Sequence, residues 1–481
     1  MKTRIRYLFR LAALVSVLSL ALTGRLEAQT FITLHHLSFD SDGAYPEADL
    51  ILSGNTLYGT AGSGGTSGVG TIFALNSNGA DFTTLHSFSA GGHNSSDYYT
   101  NNDGAYPVTG LILSGNSLYG MTREGGGSGI GTIFKVNIDG TGFTNLHIFT
   151  TSKYSEPLTN SDGAYPRAGL ILSGNILYGT AVSGGSSGSG TVFTLKTDGT
   201  GFTTLHNFTR SDGARPAGDL ILTNNVLYGT ACQGGSSGNG VVFTVHADGT
   251  GFTNLHHFSA TDLSGINSDG STPLGGLTLL GSTLYGTAAK GGTSGNGTVF
   301  KLGTDGMDFA TVHHFTGEDG TAPIAGLVLQ GHTLYGTAGS GGSAGAGTLF
   351  RVNIDGTGFA NLHSFTAISA TSSTNSDGAN PQGGLMLSGN TLFGTALTGG
   401  GSGDGTVFSL LLPPQLTIVR SQAGLILTWP TNVTGFTLQS TTNLVSNPLW
   451  TTVSPGPVVL NGQNTVTNAI SGAQQFYRLA P

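Results

Sequence analysis

The sequence repeats one pattern seven times, and this repetition constrains the fold more than any other feature. Each copy runs through Asp-Gly-x-x-Pro, an apolar stretch, "LYGT", a Gly/Ser loop, "GTVF", a turn such as "NIDGTG" and finally "FTNLHxF". A period of 50 to 61 residues is typical of repeat architectures, in which neighbouring units bury one continuous core. The central aromatic residues of the copies are Tyr58, Tyr119, Tyr178, Tyr228, Tyr285, Tyr335 and Phe393.

Each copy contains four short segments that we predict to be β-strands. In the third copy they are 169–174, Ile176–Ala181, Thr191–Lys196 and 202–208. These segments are rich in β-branched and aromatic residues, and Gly, Asn and Asp turns separate them. No segment has a sustained helical period. Four antiparallel strands in a unit of this length predict one blade of an all-β propeller.

The two ends of the repeat region predict a closed ring of seven blades. The seventh copy stops at "GTVFSLLL" (405–412), so it lacks its fourth strand. The segment "FITLHHLSF" (31–39) matches the missing strand and lies at the other end of the repeats. We predict that it completes the seventh blade, which removes an open sheet edge. The predicted propeller spans residues 29–412.

The first 28 residues predict export. Four basic residues precede the apolar run "LAALVSVLSLALTG", and Ala28 follows as a small residue at the cleavage position. An uncleaved anchor is the alternative. Removing residues 1–28 takes away five of 17 basic and one of 25 acidic residues, which leaves a net charge of −12. Such a surface repels nucleic acid. No later stretch predicts a membrane span. We expect a secreted or cell-surface monomer.

The repeats resemble the GloVer tandem repeat of secreted bacterial proteins. The resemblance covers residues 31–412 and rests on the shared pattern "DGAYPxAGLILSGNxLYGTAxxGGSSGxGTVFxLxxDGTGFTxLHxF". It implies export and association with the cell surface, and it implies no established reaction. The only cysteine, Cys232, has no partner within the chain. The exported fold must therefore be stable without an internal disulfide.

Residues 413–481 predict a second, smaller β-domain. The glycine repeat stops at Pro413, and alternating segments such as "GLILTWP" and "QQFYRLA" follow. We expect them to form a small β-sandwich around Trp429, Phe436, Leu438, Trp450 and Tyr477. The segment resembles the fibronectin-III-like (immunoglobulin-like) C-terminal domains of exported bacterial proteins. It is either a stabilising appendage or a sorting or attachment module.

Two residue types recur in every copy. A histidine stands in each "LHxF" strand, and an aspartate opens each Asp-Gly pair. Equivalent positions in different blades are too far apart to share one metal ion, so we expect hydrogen-bonding histidines and neither a metal site nor a cofactor. We predict that the aspartates ring one mouth of the central channel, either as turn acceptors or as ligands of a cation. They are Asp42, Asp103, Asp162, Asp212, Asp269, Asp319 and Asp377.

Residues that break the repeat are the candidates for function. Loops on a rigid scaffold are where binding sites collect. The two longest inserts, 89–102 and 150–161, connect one blade to the next, and we expect them on the same face as the Gly/Ser loops. Neutral drift of solvated loops is the alternative. The candidate ligand-binding residues are Tyr98, Tyr99, Arg123, Glu124, Tyr154, Arg167 and Arg215.

Two functions fit these observations. The first is an exported, non-enzymatic propeller that binds a glycan or a surface protein through one loop face. The alternative is a carbohydrate-active hydrolase or lyase with its site at the channel mouth, since carboxylates from different blades can meet in space. The sequence offers no nucleophile motif or zinc motif, and we assign no catalytic residue.

Overall fold

The computed structural model describes residues 30–151, 158–414, 416–421, 424–431, 436–444, 448–460, 462–468 and 475–480. The regular structure in these ranges consists of strands. Within them, no helix has the length and apolarity to cross a membrane. The predicted signal peptide, residues 1–28, lies outside the described residues.

Seven antiparallel sheets of four or five strands follow one another along residues 30–411, and we call them blades 1 to 7. Blades 1 to 6 each take their strands in chain order from one copy of the repeat. The strands are Ile51–Ser53, Thr56–Ala61, Thr71–Asn76 and Thr83–Ser87 in blade 1; Ile112–Ser114, Ser117–Thr122, Thr132–Asn137 and Thr144–Ile148 in blade 2; Ile171–Ser173, Ile176–Ala181, Thr191–Lys196 and Thr203–Asn207 in blade 3; Ala214–Pro216, Ile221–Thr223, Val226–Gln233, Val241–His246 and Thr253–His257 in blade 4; Thr278–Leu280, Thr283–Ala288, Thr298–Gly303 and Ala310–His314 in blade 5; and Val328–Gln330, Thr333–Ala338, Thr348–Asn353 and Ala360–Ser364 in blade 6.

Blade 7 combines the two ends of the repeat region. Its first three strands are Met386–Ser388, Thr391–Ala396 and Thr406–Leu411, and its outer strand is Thr30–His36. In this pairing Phe31 lies opposite Leu410 and Thr33 lies opposite Phe408. The N-terminal strand therefore covers the edge that the seventh copy leaves open.

The core lies between neighbouring blades. Each cluster of buried side chains combines residues of two consecutive sheets, as Phe208 of blade 3 does with Leu227 and Phe243 of blade 4. The cluster that joins the ends of the ring contains Phe73 of blade 1 and Phe393 of blade 7. Burying one such phenylalanine stabilises the fold by about 1.5–3 kcal/mol.

The glycine of the repeated "LYG" stretch has a packing role. A Cβ atom on Gly59 would lie 2.5 Å from Cζ of the buried Phe73 on the neighbouring strand. The ring of the "GTVF" phenylalanine thus lies directly over the glycine of the adjacent strand. A larger residue there would displace the ring from the core.

A buried threonine joins most neighbouring blades by a hydrogen bond. Its hydroxyl donates to a backbone carbonyl at the start of the next blade, as Thr230 does to Gly275 over 3.0 Å and Thr395 of blade 7 does to Ala48 of blade 1 over 3.1 Å. Blade 2 has Met121 at this position, and its backbone bonds instead to the Thr109 hydroxyl. These bonds hold the inner strands around a common channel.

The described part of residues 413–481 forms two further sheets. One contains Thr417–Ser421, Gly424–Pro430, Gln463–Asn468 and Val458–Leu460, and the other contains Thr451–Thr452, Thr437–Thr441 and Phe476–Ala480. Leu427, Trp429 and Val466 of the first sheet pack against Leu438 of the second. Trp450, which we predicted in this core, instead lies 4.4 Å from the guanidinium of Arg478. The fibronectin-III resemblance stays a prediction.

A short hairpin occupies the first long insert. Gly92–His93 pairs with Tyr99–Thr100, and the side chain of Asn94 accepts hydrogen bonds from the amides of Ser96 and Tyr98 within its turn.

Candidate functional site

The seven repeated aspartates do not line the channel mouth, where we predicted them. Each lies beside the repeated histidine of an outermost strand, with 2.9–3.1 Å between His Nε2 and Asp Oδ2. The Asp-Gly pair lies in the chain between the outer strand of one blade and the inner strand of the next, so the chain still has to cross the blade before it reaches the channel. The pairs are His35–Asp42, His86–Asp103, His147–Asp162, His206–Asp212, His256–Asp269, His313–Asp319 and His363–Asp377.

The same histidines stack on phenylalanines of the next blade. The His35 ring lies 4.0 Å from Phe82 of blade 1, and the His363 ring lies 3.8 Å from Phe31 of the N-terminal strand. Burial raises the pKa of Asp162, but hydrogen bonds from His147 and Thr150 outweigh it and hold this pKa below its usual value. The histidines and aspartates thus connect the blades at their outer edge.

The channel mouth is formed by the residues that follow the repeated proline. The first and third positions after it, from all seven blades, line a cavity of about 90 Å³. The first position varies, and the third is either glycine or aspartate. The first-position residues are Glu47, Val108, Arg167, Ala217, Leu274, Ile324 and Gln382, and the third-position residues are Asp49, Gly110, Gly169, Asp219, Gly276, Gly326 and Gly384.

Two carboxyl groups, which our sequence analysis missed, occupy this channel. Burial and the neighbouring Asp219 charge raise the pKa of Asp49 to about 7, although the amide of Gly384 donates to it. Burial likewise raises the pKa of Asp219, against a 2.5 Å hydrogen bond from the Gly169 amide. A Cβ atom on Gly384 would lie 2.6 Å from the Asp49 carboxylate. Glycine in the other blades therefore leaves room for the two aspartates.

Most of the predicted binding residues meet in one pocket. Its volume is about 620 Å³, and we call it the blade 2–4 pocket. The hairpin insert forms one wall, the Gly/Ser loop of blade 2 forms another, and the starts of blades 3 and 4 complete it. Of the predicted residues, Tyr98, Tyr99, Arg123, Glu124, Arg167 and Arg215 line it. The geometry brings them together, and their binding role stays a prediction.

The remaining predicted residue is Tyr154, which lies outside the described residues. The structure adds Tyr165 and Cys232 to the pocket lining. Tyr165 stands in the repeated Asp-Gly-x-x-Pro motif, at a position that holds Tyr45 and Tyr106 in blades 1 and 2 and Arg215 in blade 4. Comparing this position between copies could have identified Tyr165.

Charged side chains of both signs line the pocket and the channel mouth. Arg123 lies 3.5 Å from Glu124 within one loop. Arg167 of blade 3 lies 3.7 Å from Glu47 of blade 1, so this ion pair bridges across the mouth of the channel. Arg167 lines both cavities and connects them. The pocket therefore offers guanidinium donors beside carboxylate acceptors.

Half-buried tyrosines form the apolar part of the pocket. The Tyr99 hydroxyl accepts a hydrogen bond from the Gly91 amide over 2.7 Å, which fixes this ring against the hairpin. Burial, with Tyr98 and Glu124 nearby, raises the pKa of Tyr165 to about 12 despite the opposing charge of Arg123. Tyr165 is therefore neutral at physiological pH, and its hydroxyl is hydrogen-bonded to the side chain of Tyr98. Rings with polar edges suit an amphipathic ligand such as a sugar.

A metal centre finds no support in the described residues. They contain no group of three His, Cys, Asp or Glu side chains that could hold a metal ion. The arrangement can bind through hydrogen bonds, charge and ring contacts.

Comparison with known families agrees with the repeat pattern. The sequence model described as the Gloeobacter/Verrucomicrobia repeat matches residues 22–159, 91–279 and 263–458. The chain belongs to the Gloeobacter/Verrucomicrobia repeat family. This confirms the GloVer resemblance across the repeats. Curated proteins give no match to this Gloeobacter/Verrucomicrobia repeat protein.

The fold of this chain is distantly similar to several solved structures. An oligogalacturonate lyase of Vibrio parahaemolyticus is 10% identical, with a TM-score of 0.49 over 81% of this chain and 95% of the lyase. A GH74 enzyme of Niastella koreensis is 14% identical, with a TM-score of 0.46 over 84% of this chain and 59% of the enzyme. TolB of Acinetobacter baumannii is 11% identical, with a TM-score of 0.35 over 62% and 60%. At these values no function of the Gloeobacter/Verrucomicrobia repeat protein follows from them.

Proposed function

We propose that the chain is an exported, non-enzymatic binding protein that recognises a glycan in the blade 2–4 pocket. One observation carries the proposal. In a chain whose blades have nearly the same sequence, six aromatic and charged departures from the repeat, in the insert 89–102 and in blades 2 to 4, gather in a single pocket on one face. Drift in solvated loops would scatter such departures around the ring.

The chemistry of the pocket favours a sugar over other small ligands. Its volume of about 620 Å³ falls within the usual range of ligand sites. Tyr98 and Tyr165 offer ring faces for the apolar side of a pyranose, and Arg123 and Arg167 offer donors for its hydroxyl groups. The carboxylate of Glu124 adds an acceptor at the same wall.

Export is part of the proposal and has its own test. A leader of residues 1–28 would deliver the propeller outside the cytoplasm, where glycans of surfaces and matrices are found. Sequencing the N-terminus of the protein recovered from an expressing culture should give a chain that begins at Gln29. A cytoplasmic chain that begins at Met1 contradicts this part.

A glycan array followed by calorimetric titration tests the binding proposal. We expect Tyr98→Ala and Arg167→Gln to weaken binding of the array ligand at least tenfold. Because Tyr98 also packs against the core between blades 2 and 3, circular dichroism checks that each variant is folded. Lys290→Gln is the matched control, because Lys290 occupies in blade 5 the position that Glu124 occupies in blade 2. Binding of no glycan, with capture of a surface protein instead, would contradict the proposal.

A carbohydrate-active enzyme is the second candidate, and one observation favours it. Burial raises the pKa of Glu47 at the channel mouth, although Arg167 and Arg123 oppose the shift. A carboxyl group with a raised pKa beside other carboxylates can act as a general acid. Turnover of any member of a polysaccharide panel, abolished by Glu47→Gln or Glu124→Gln, would establish the enzyme and reject the non-enzymatic proposal.

A further inference from the structure

Arginines in the propeller are concentrated around the blade 2–4 pocket. Between residues 30 and 414 the sequence has five arginines, and Arg123, Arg167 and Arg215 all line this pocket. Arg210 lines an adjoining cavity of about 660 Å³ together with Arg215. The exception is Arg351, on the third strand of blade 6. A chain with a net charge of −8 thus places three of these five arginines at one pocket, where Asp97 and Glu124 are the acidic lining residues.

The ion pairs of the pocket leave these guanidinium groups able to bind. The closest approaches are 3.5 Å for Arg123 to Glu124 and 3.7 Å for Arg167 to Glu47, both longer than a direct hydrogen bond. The two arginine side chains are 53% and 46% exposed. Either group can turn from its carboxylate neighbour to a ligand.

Arg215 differs from Arg123 and Arg167, because no acidic side chain of the described residues lies within ion-pair distance of its guanidinium. Its side chain is exposed and lines the pocket next to the buried Cys232. Within the described part of the chain Arg215 is thus a positive charge without a carboxylate partner at the wall of the pocket, and such a charge favours an anionic ligand.

The backbone of Arg215 is held in place on both sides. Its φ of +58° lies in the left-handed region, where a side chain is unfavourable. Its amide donates to Ser189 of blade 3 over 2.9 Å, and its neighbours Ala214 and Pro216 pair with Gln233 and Ala231. The base of the side chain is therefore fixed before any ligand arrives, which lowers the entropy cost of binding.

We propose that the blade 2–4 pocket takes a uronate-containing oligosaccharide, with Arg215 and Arg167 donating hydrogen bonds to its carboxylate. The proposal rests on the glycan-binding function proposed above. A planar guanidinium matches a carboxylate with two parallel N–H···O bonds. The half-buried rings of Tyr98 and Tyr165 lie in the same pocket and contact the sugar ring that bears the carboxylate.

The inference is tested on the mature protein, residues 29–481, with pairs of oligosaccharides that differ only in their carboxylates. Hexasaccharides of alginate, hyaluronan and pectic acid are titrated beside their carboxyl-reduced counterparts, which have the same chain without the charge. We expect a uronate to bind and its reduced form to bind at least tenfold more weakly. Arg215→Gln should weaken uronate binding about 10- to 100-fold, the usual effect of losing a charge-assisted hydrogen bond.

Arg351→Gln is the matched control, since it removes an exposed arginine from blade 6, and it should bind as the wild type does. Melting temperatures exclude unfolding of either variant. If a carboxyl-reduced chain binds as tightly as its uronate, and Arg215→Gln binds both like wild type, the uronate inference is wrong and the glycan proposal stands. If no oligosaccharide binds here or on the array, both are wrong.

Discussion

Closure of the ring by the N-terminal strand can be tested with one pair of neighbouring residues. Phe31 faces the core, where its ring lies 3.8 Å from His363 of blade 6 and 5.2 Å from Phe408 of blade 7. Ile32 faces the other side of the strand and is 49% exposed. If Thr30–His36 joins blade 7 to its neighbours, Phe31→Ala should destabilise the propeller and Ile32→Ala should not.

The expected magnitude follows from the contacts. Truncating a fully buried phenylalanine costs about 3–5 kcal/mol. Phe31 is half-buried, so we expect Phe31→Ala to lower the free energy of unfolding by about 2 kcal/mol through lost burial. The lost ring contacts lower it by about a further 0.5–1 kcal/mol. Ile32→Ala should cost less than about 0.5 kcal/mol, as is usual for exposed positions. Phe82→Ala, the equivalent change in blade 1, should match Phe31→Ala because Phe82 stacks on His35 at 4.0 Å.

Guanidinium unfolding followed by tyrosine fluorescence and circular dichroism is a suitable assay. Both tryptophans, Trp429 and Trp450, lie in residues 413–481, so tryptophan fluorescence follows this segment and serves as an internal control. Equal midpoints for the Phe31→Ala and Ile32→Ala propellers would refute closure by this strand.

Two further predictions concern the channel and the joints between blades. Because the folded-state pKa of Asp49 lies above its unfolded value, the contribution of this one carboxyl group to stability is full below about pH 4 and is lost as the pH rises to about 7. Asp49→Asn keeps an acceptor for the Gly384 amide and cannot ionise. By calorimetry at pH 7.5 its free energy of unfolding should exceed that of the wild type by about 4 kcal/mol, because the pKa is raised from 3.8 to about 7 and each unit is worth about 1.4 kcal/mol, and at pH 4 the two should be nearly equal. Equal free energies at both pH values would be the opposing result. Thr230→Val leaves the Gly275 carbonyl without its donor and should lower the free energy of unfolding by about 1 kcal/mol, whereas an unchanged value would show that the hydroxyl adds nothing.

Much of the fold could be predicted because every copy of the repeat contains the same pattern of strands and turns. The predicted segments Ile176–Ala181 and Thr191–Lys196 are strands with these bounds. The predicted segment 169–174 is shorter in the structure, Ile171–Ser173, since its first residues belong to the channel wall. Seven copies with the same pattern support these strand assignments more strongly than a single copy would.

The position of the aspartates could not be predicted from strand order alone. We predicted Asp42 and its equivalents at the channel mouth, but the inner strand of blade 1 begins only at Ile51, nine residues after Asp42. The intervening residues carry the chain from the outer edge to the channel, where Glu47 and Asp49 lie. Aligning the third residue after each proline, which is aspartate in two copies and glycine in five, would have identified the channel carboxyls.

The grouping of Tyr98, Arg123 and Arg167 was predictable for a different reason. In an antiparallel blade the loop between the second and third strands lies at the same end as the chain that arrives at the first strand. Residues from three stretches of sequence therefore meet on one face. Tyr165 was overlooked because it looks like a regular part of the motif, and its burial beside Tyr98 becomes visible only in three dimensions.

A crystal structure of the mature protein with its tightest array ligand would show whether the blade 2–4 pocket binds a glycan. We predict a sugar in this pocket, with a ring against Tyr98 or Tyr165 and polar groups within about 3.2 Å of Arg167 or Arg215, the limit of a hydrogen bond. A ligand on the opposite face, beside turns such as the one at Asp139 and Gly140, would contradict it.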